Sequence, residues 1–582
     1  MRGHPGAHGG IGPLTAPTWI ALAHTGDAVT AVALDSAAAE LWQTTVPQPT
    51  AAWVADQEKE AAPRWIWNDT ARWYPGFLAA GVRLARCHDL RLCHAILRTS
   101  AFVMDATALR AATAWAATPS MDDGAPALFA LDTHGLGALP DDVKEVLAEF
   151  TRQRRAIDDA RAPGSLRTLV AVESAGALVA AELRAAGLPW NEAAHDTILT
   201  EVLGARPAQG GPPAKVQATA DRTRIALNDP SVSLDSPPKL LRALHRAGVF
   251  VESTSQWELA EHQHPAIAPL LEYKKLSRLL SANGWTWLAE WVRDGRFRPV
   301  YVPAGVVTGR WASSGGGALQ LPRLLRAAVR ADPGWTLIVA DVAQLEPRVL
   351  AAIAHDEALA AAAQGRDLYA GVVDAGIVAT RNEAKLALLG AMYGATTGDS
   401  ARLLPRLRRA YRRAMGLVDD AAATGERGGA VHTWLGRTSP EPSTHWLDLQ
   451  HRAALPEARA ADEARAQRAA RDRGRFTRNF VVQGTAAEWA LAWLAELRMR
   501  LAALPAAPQR AVASGPSFAD RAHLAFFLHD EIIVHTPIAH AEAAASAVLD
   551  AAAAAGRGLF GDFPVDFRLD LRISEDAAKS AG

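Results

Sequence analysis

The chain has 582 residues, 49% hydrophobic and 21% charged, with 61 Lys and Arg against 62 Asp and Glu for a formal net charge of −1. That length predicts roughly three or four domains, and the near-zero balance excludes a uniformly basic nucleic-acid coat while allowing a local basic groove. Cys87 and Cys93 are its only cysteines, too few for a disulfide framework, so a reducing cytosol is the expected compartment; the start of the chain lacks the apolar core of a secretory signal, and no run approaches the roughly 18 apolar residues needed to cross a membrane.

Residues 17–165 read as mixed α/β. Thr18–Ala23 and Ala28–Leu34 predict a hairpin around Thr25-Gly26-Asp27, Arg64–Asn68 a short strand, and Thr70–Ala80 a helix ending at Gly81. Residues 166–290 read mainly helical. Leu166–Ala186 is one long helix stopped by Gly187 and Pro189, Pro265–Asn283 is another, and the Gly/Pro-rich stretch Ala208–Ala214 is a loop. Residues 300–360 are strand-rich up to Asp341 and helical after Pro347, a residue suited to a first helical turn. Residues 366–476 are helical and Arg-rich, and Ala460–Arg475 reads as a low-complexity solvated helix. The last hundred residues predict a helix from Thr485, a polar loop near Pro508–Pro516, and an apolar hairpin holding His529-Asp530-Glu531; no internal repeat is visible.

Asp341 and Asp530 each end a strongly apolar run. Mg²⁺ takes hard oxygen ligands, typically one or two carboxylates plus phosphate oxygens and waters. Two carboxylates on neighbouring strand ends could bridge two ions about 3.5–4 Å apart. Either Asp alone also fits a strand that simply ends at a turn, but the Asp530-Glu531 pair inside an apolar hairpin is costly to bury without a partner. Between them Arg381, Lys385, Leu389 and Tyr393 recur every fourth residue, which keeps them near one helix face over about 18 Å. The two cations suit β- and γ-phosphates, and Leu389 and Tyr393 offer a surface for a base and sugar. Alternatively the cations are merely solvated and the apolar pair is core. Thr308-Gly309-Arg310 opens a Gly-rich loop running to Ala318-Leu319-Gln320, where Arg310 and Gln320 are candidate DNA contacts if the loop is not simply flexible. Arg475–Gly484 carries Asn479 and Gln483, whose amides suit template sugars and bases, or else helix caps.

These residues resemble the family A DNA polymerases, the bacterial DNA polymerase I type, from about Leu166 to the C-terminus. Asp341–Arg348 is similar to the first palm motif, Arg381–Gly394 to the fingers helix, His529-Asp530-Glu531 to the last palm motif, and Val232–Leu241 to a thumb segment. Thr308-Gly309-Arg310, Gln483–Ala487 and Leu271–Leu276 also fit. The resemblance implies an α+β right-hand fold behind an N-terminal, degenerate ribonuclease H-like 3′–5′ exonuclease domain. The implied boundaries are 1–165 for that domain, 166–299 thumb, 300–365 palm, 366–476 fingers and 477–582 palm again. It implies template-directed addition of dNTPs to a primer 3′ end, in repair or gap filling, with primer-template DNA and dNTPs as partners. Asp341 and Asp530 would hold two Mg²⁺, replaceable by Mn²⁺, with Glu531 and Lys385 completing the catalytic set. Arg381, Lys385, Leu389, Tyr393, Glu346 and Gln344 would meet the nucleotide, Tyr393 and Glu346 closing off its 2′ position. Arg310, Gln320, Arg475, Asn479, Gln483, His529 and Gly394 would meet DNA. A cytoplasmic, nucleoid-associated bacterial monomer is expected. A non-catalytic DNA-binding homologue is the alternative.

The departures are specific. Leu389 stands where most of the family has Phe or Tyr, giving up ring stacking, and the segments flanking that helix are short. In the N-terminal part, Asp56-Gln57-Glu58 mimics an Asp-x-Glu opening but falls on an expected exposed helix. Trp73 or Tyr74 stands where a carboxylate belongs, and Phe150–Arg154 replaces Tyr-x-x-x-Asp. No proofreading is therefore expected, and with no 5′-nuclease segment in view, no removal of primers or flaps. Cys87-His88 and Cys93-His94 form a cluster that a zinc ion could use, though its spacing fits no common module and reads as strand-to-helix core.

Overall fold

The computed structural model describes residues 16–116, 139–317, 321–394 and 398–578, without the side chains of 398–401. A five-stranded sheet opens the chain. β1 (Trp19–Thr25) and β2 (Ala28–Leu34) form the hairpin expected around Gly26. β3 (Glu40–Thr45), β4 (Arg64–Trp67) and β5 (Arg86–Asp89) complete it in the order β3-β2-β1-β4-β5, with β1, β4 and β5 mutually parallel. The inner strands are mostly apolar on both sides because helices cover both faces. Ile20 and Leu22 pack on one side with Val54, Tyr74 and Phe77, while Ala21 and Ala23 pack on the other with Val143, Val146 and Phe150.

The long helix expected from Leu166 runs Pro163–Ala186 and stops at Gly187. It lies between the first sheet and a 44-residue helix, Ala460–Ala503. Glu182 ties the two parts together: its carboxylate accepts from the Tyr74 hydroxyl at 2.8 Å, from Arg83 Nε at 3.1 Å and from Arg498. Residues 188–297 are mainly helical, with Glu192–Leu203, Ala214–Ala226, Pro237–Arg246 and Ile267–Asn283 around a core that includes Leu199, Leu244 and Leu270.

Four antiparallel strands gather the catalytic candidates. Their order is His523–Leu528, Glu531–Pro537, Trp335–Val342 and Leu569–Ser574, so two strands from the C-terminal hairpin stand beside the strand ending near Asp341. The Arg381–Tyr393 helix lies outside this sheet and buries Ala384, Ala387, Leu388, Ala391 and Met392.

One expectation is corrected. The helix expected from Thr485 begins at Ala460, so the solvated Ala/Arg segment and the Arg475–Gly484 motif are stretches of a single helix with no break near 476. Two interior glycines misdirect a propensity reading. At Gly484 the backbone packs so tightly that a Cβ would lie 2.4 Å from Thr433 Cγ2, so glycine serves a close approach and not a helix end.

Candidate active site

Asp341 and Asp530 converge because of strand register. Asp341 pairs across the ladder with Glu531, and the Val342 amide donates to the Asp530 carbonyl at 2.9 Å. The two-residue connection between the hairpin strands is His529-Asp530, and His529 adopts φ +56°. After Asp341 the chain leaves its strand through Gln344 at φ +52°. Left-handed conformations are costly for side chains other than glycine, and such strain collects at functional sites. Both Asp-bearing segments therefore turn sharply beside one spot. Burial pushes the Asp530 carboxyl up to about 6, and the charge of Asp341 acts in the same direction. Asp530 with Asp341 beside it is a donor set suited to a hard divalent cation with phosphate and water as further ligands. Among the described residues no group of three or more His, Cys, Asp or Glu side chains is arranged to hold a metal.

Glu531 is placed differently from a metal-facing acid. It is buried and engaged by Arg326, whose Nη2 donates to Oε2 at 2.7 Å. On the other side of Asp341, Asp570 stands directly across the ladder.

The cation-bearing helix exposes Arg381, Lys385 and Tyr393, while Leu389 is half-buried and packs against the helix's core. Thr380 caps it, accepting from the Glu383 amide, while Glu383 reaches back to the Thr380 amide. Lys385 is exposed and makes no ion pair among the described residues. Arg381 is paired with Asp367 at 2.8 Å and lies over the Tyr369 ring at 5.5 Å. Gln344 donates to the same Asp367 carboxylate at 3.0 Å. Gly394 ends the helix at φ +71°, where a Cβ would also press 2.9 Å from the Arg475 stem.

Between sheet and helix lies a cavity of about 230 Å³ whose walls include Arg310, Glu346, Leu389, Tyr393, His529 and Asp530. Glu346 stands at its centre of charge: Arg310 donates to one carboxylate oxygen and the Tyr393 hydroxyl to the other. Burial and the Glu346 charge both raise the Tyr393 pKa, so the phenol stays neutral and donating. Gln483 is a further partner of that hydroxyl. Asn479, one turn earlier, carries a buried carboxamide oxygen with no partner among the described residues. Arg475 is exposed and pairs with Asp472. Gln320 lies outside the described residues.

In the N-terminal domain the Cys-His cluster is core. Cys93 Sγ lies 3.9 Å from His88 Nδ1, Cys87 Sγ faces the Ser174 carbonyl, and His94 Nδ1 bonds Glu149 at 2.8 Å. Zinc needs ligand atoms converging at about 2.0–2.3 Å. Asp56 is exposed on the Thr50–Ala61 helix, and Glu58 of that helix accepts from Trp65 Nε1 and the Ala85 amide. Asp69 caps the next helix and pairs with Arg91, Asp89 caps Leu92, and Asn68 fills the end of β4.

Sequence reading missed Arg326, Asp367 and Tyr369. Arg326 gave no signal, since its partner is 205 residues away. Asp367 was detectable only as the N-cap of a short helix.

Residues 241–574 match the family described as DNA polymerase family A. The thermostable DNA polymerase I of Thermus filiformis is 27% identical over 53% of this chain, and the DNA polymerase I of Chloroflexus aurantiacus 29% over 59%. The chain spans 36% of the length of each of these relatives. Among solved structures, the POL domain of Pol1 from M. smegmatis, in complex with DNA primer-template and dNTP, superposes with a TM-score of 0.64 at 17% identity, covering 96% of this chain and 95% of that one.

Proposed function

This chain belongs to DNA polymerase family A, and from that premise we propose that it extends a primer 3′ end with dNTPs under direction of a template strand. The observation that carries the reading is the convergence of Asp341 and Asp530, with Asp530 sharing a cavity with Leu389 and Tyr393 of the helix that also bears Arg381 and Lys385. Asp341 and Asp530 are the residues that would hold Mg²⁺, two ions in the two-metal scheme. Such ions activate the attacking hydroxyl and neutralise the departing pyrophosphate. Lys385, already exposed, and Arg381, once released from Asp367, meet the triphosphate. Leu389 and Tyr393 line the nucleotide cavity, and His529, Arg310, Asn479 and Gln483 border the primer and template side.

The Glu346–Tyr393 pair closes the cavity where a ribose 2′-hydroxyl would lie, and Arg310 locks the pair in place. Glu346→Ala is expected to raise incorporation of ribonucleotides relative to deoxynucleotides by about tenfold or more. Competition between dNTP and NTP in single-turnover extension checks it; an unchanged ratio removes Glu346 from this role.

We place the activity in gap filling or repair without proofreading. Supporting the second point, β1 carries no acid, and the carboxylates near the ends of β4 and β5 are taken up as helix caps and ion pairs. Primer extension with Mg²⁺ on matched and mismatched primers tests both. Extension of the matched primer without shortening of the mismatched one is expected. No extension at all favours the alternative, a non-catalytic DNA-binding homologue. Degradation of the mismatched primer that Asp56→Ala stops would overturn the absence of proofreading.

A further inference from the structure

The N-terminal domain holds a second concavity that shares no lining residue with the Asp341–Asp530 cleft. It opens at the N-terminal ends of β1, β4 and β5, between the later turns of the Val143–Asp158 helix and the early turns of the Pro163–Ala186 helix. Asn68 and Asp89 lie at the opposite ends of these strands. The cavity measures about 650 Å³, within the ~300–1,000 Å³ range of small-ligand sites.

Its walls carry four guanidinium side chains, Arg64, Arg86, Arg154 and Arg167, and a single carboxylate, Asp158. Arg167 takes that carboxylate at 2.7 Å. The other three make no ion pair among the described residues and donate only to carbonyls: Arg64 to Cys87, Arg86 to Ala62 and Arg154 to Ser36. Burial lowers the Arg64 pKa and repulsion from Arg86 lowers it further. Beside the cations lie aromatic rings. Trp19 and Phe150 meet at 5.1 Å between centroids, Arg64 lies over Trp19 at 5.6 Å and Arg154 over Phe150 at 6.0 Å. Like charges gathered in a concavity repel one another. A multivalent anion offsets the repulsion and takes up guanidinium donors in the geometry they favour, while an indole face suits a base or sugar.

We propose that this cavity binds a phosphate-bearing nucleotide, held by Arg64, Arg86 and Arg154 through its phosphate and by Trp19 through its base or sugar. The same chemistry is offered by a free nucleotide and by one unit of a single strand, and the test separates them.

Binding is measured on the full chain in EDTA, which removes divalent-dependent nucleotide binding in the other cleft. One probe is a fluorescent dADP. The other is a twelve-residue deoxyoligonucleotide carrying a photo-crosslinking pyrimidine, with the crosslinked peptide mapped. Arg86 is exposed, so Arg86→Gln tests the site without disturbing the core; Arg86→Gln with Arg154→Gln is the stronger variant, and thermal unfolding reports whether each remains folded. Binding of the fluorescent nucleotide that falls about tenfold or more in the folded variants, as expected for a lost charge-assisted contact, identifies a free nucleotide. Crosslinking of the oligonucleotide near Trp19 that the variants lose, without binding of the free nucleotide, identifies a strand. If neither probe engages the wild-type site, or if both variants bind like wild type, the proposal is overturned.

Discussion

Asp341→Ala and Asp530→Ala are each expected to lower primer extension by about 10³-fold or more, while primer-template affinity stays within a few-fold of wild type. The size follows from what the residues share. Strand pairing sets the two residues side by side, burial and the Asp341 charge push the Asp530 carboxyl up to about 6, and among the described residues no group of three or more His, Cys, Asp or Glu is arranged to hold a metal. Removing either leaves one carboxylate to bind and orient divalent ions at the reacting phosphate, and electrostatic stabilisation of that kind is usually the largest single contribution to such chemistry. On the proposed function DNA affinity would rest on other contacts, chiefly cations against backbone phosphates, and is expected to weaken as salt rises. Asp530 sits in a two-residue turn, so its truncation disturbs no packed core. Rapid-quench extension and equilibrium binding of the same duplex check the prediction. Extension retained within tenfold in either variant would remove that residue from the reaction; loss of DNA binding in parallel would show that the aspartates act on the fold.

Arg498→Met is expected to destabilise the protein by about 3–5 kcal/mol, the range for one broken partner of a buried ion pair. Arg498 and Glu182 are both nearly fully buried. The guanidinium also donates to the Leu84 carbonyl at 2.6 Å, so its loss leaves the buried Glu182 carboxylate to Arg83 and Tyr74 and takes a donor from that carbonyl. Burial opposes ionisation of Glu182, yet Arg498 and Arg83 outweigh it and hold the carboxyl down at about 2, against an ordinary value of 4.5. The folded state thus releases this proton more readily than the unfolded chain. The stabilisation is present above about pH 4.5 and is lost as pH falls toward 2. Denaturant unfolding of wild type and Arg498→Met at neutral and acid pH checks both statements. The difference should shrink on acidification, and adding Glu182→Leu to Arg498→Met should recover only part of the loss, because it removes the buried carboxylate but leaves Arg83 without its partner. A difference independent of pH would mean that packing of the Arg498 stem, and not its charge, holds this junction.

This junction also shows where reading the chain residue by residue runs out. Glu182 and Arg498 are separated by 316 positions, and nothing local distinguishes either from a solvated charge on a helix. Glu531 and Asp367 repeat the lesson at the site itself. Beside Asp530, Glu531 reads as a companion acid, yet Arg326 engages it in a buried pair. Arg381 reads as a free phosphate clamp, yet Asp367 pairs with it at 2.8 Å.

What the amino-acid order determined alone was much of what is expressed as local periodicity and termination, the helix start expected at Thr485 excepted. Apolar runs closing on Asp341 and Asp530, a fourfold spacing from Arg381 to Tyr393, and the stops at Gly81 and Gly187 all rest on geometry within a few residues, and the strands and helices formed accordingly. Tertiary structure alone decided which charge answers which, where a glycine permits close packing and not a helix end, and how a hairpin near the C-terminus comes to lie in register with a strand nearly two hundred residues earlier. The reason is physical. Local conformation is set by sterics and hydrogen bonds that the neighbouring residues already specify, whereas the energy of a buried ion pair depends on distance and desolvation, and both exist only once remote segments have packed together.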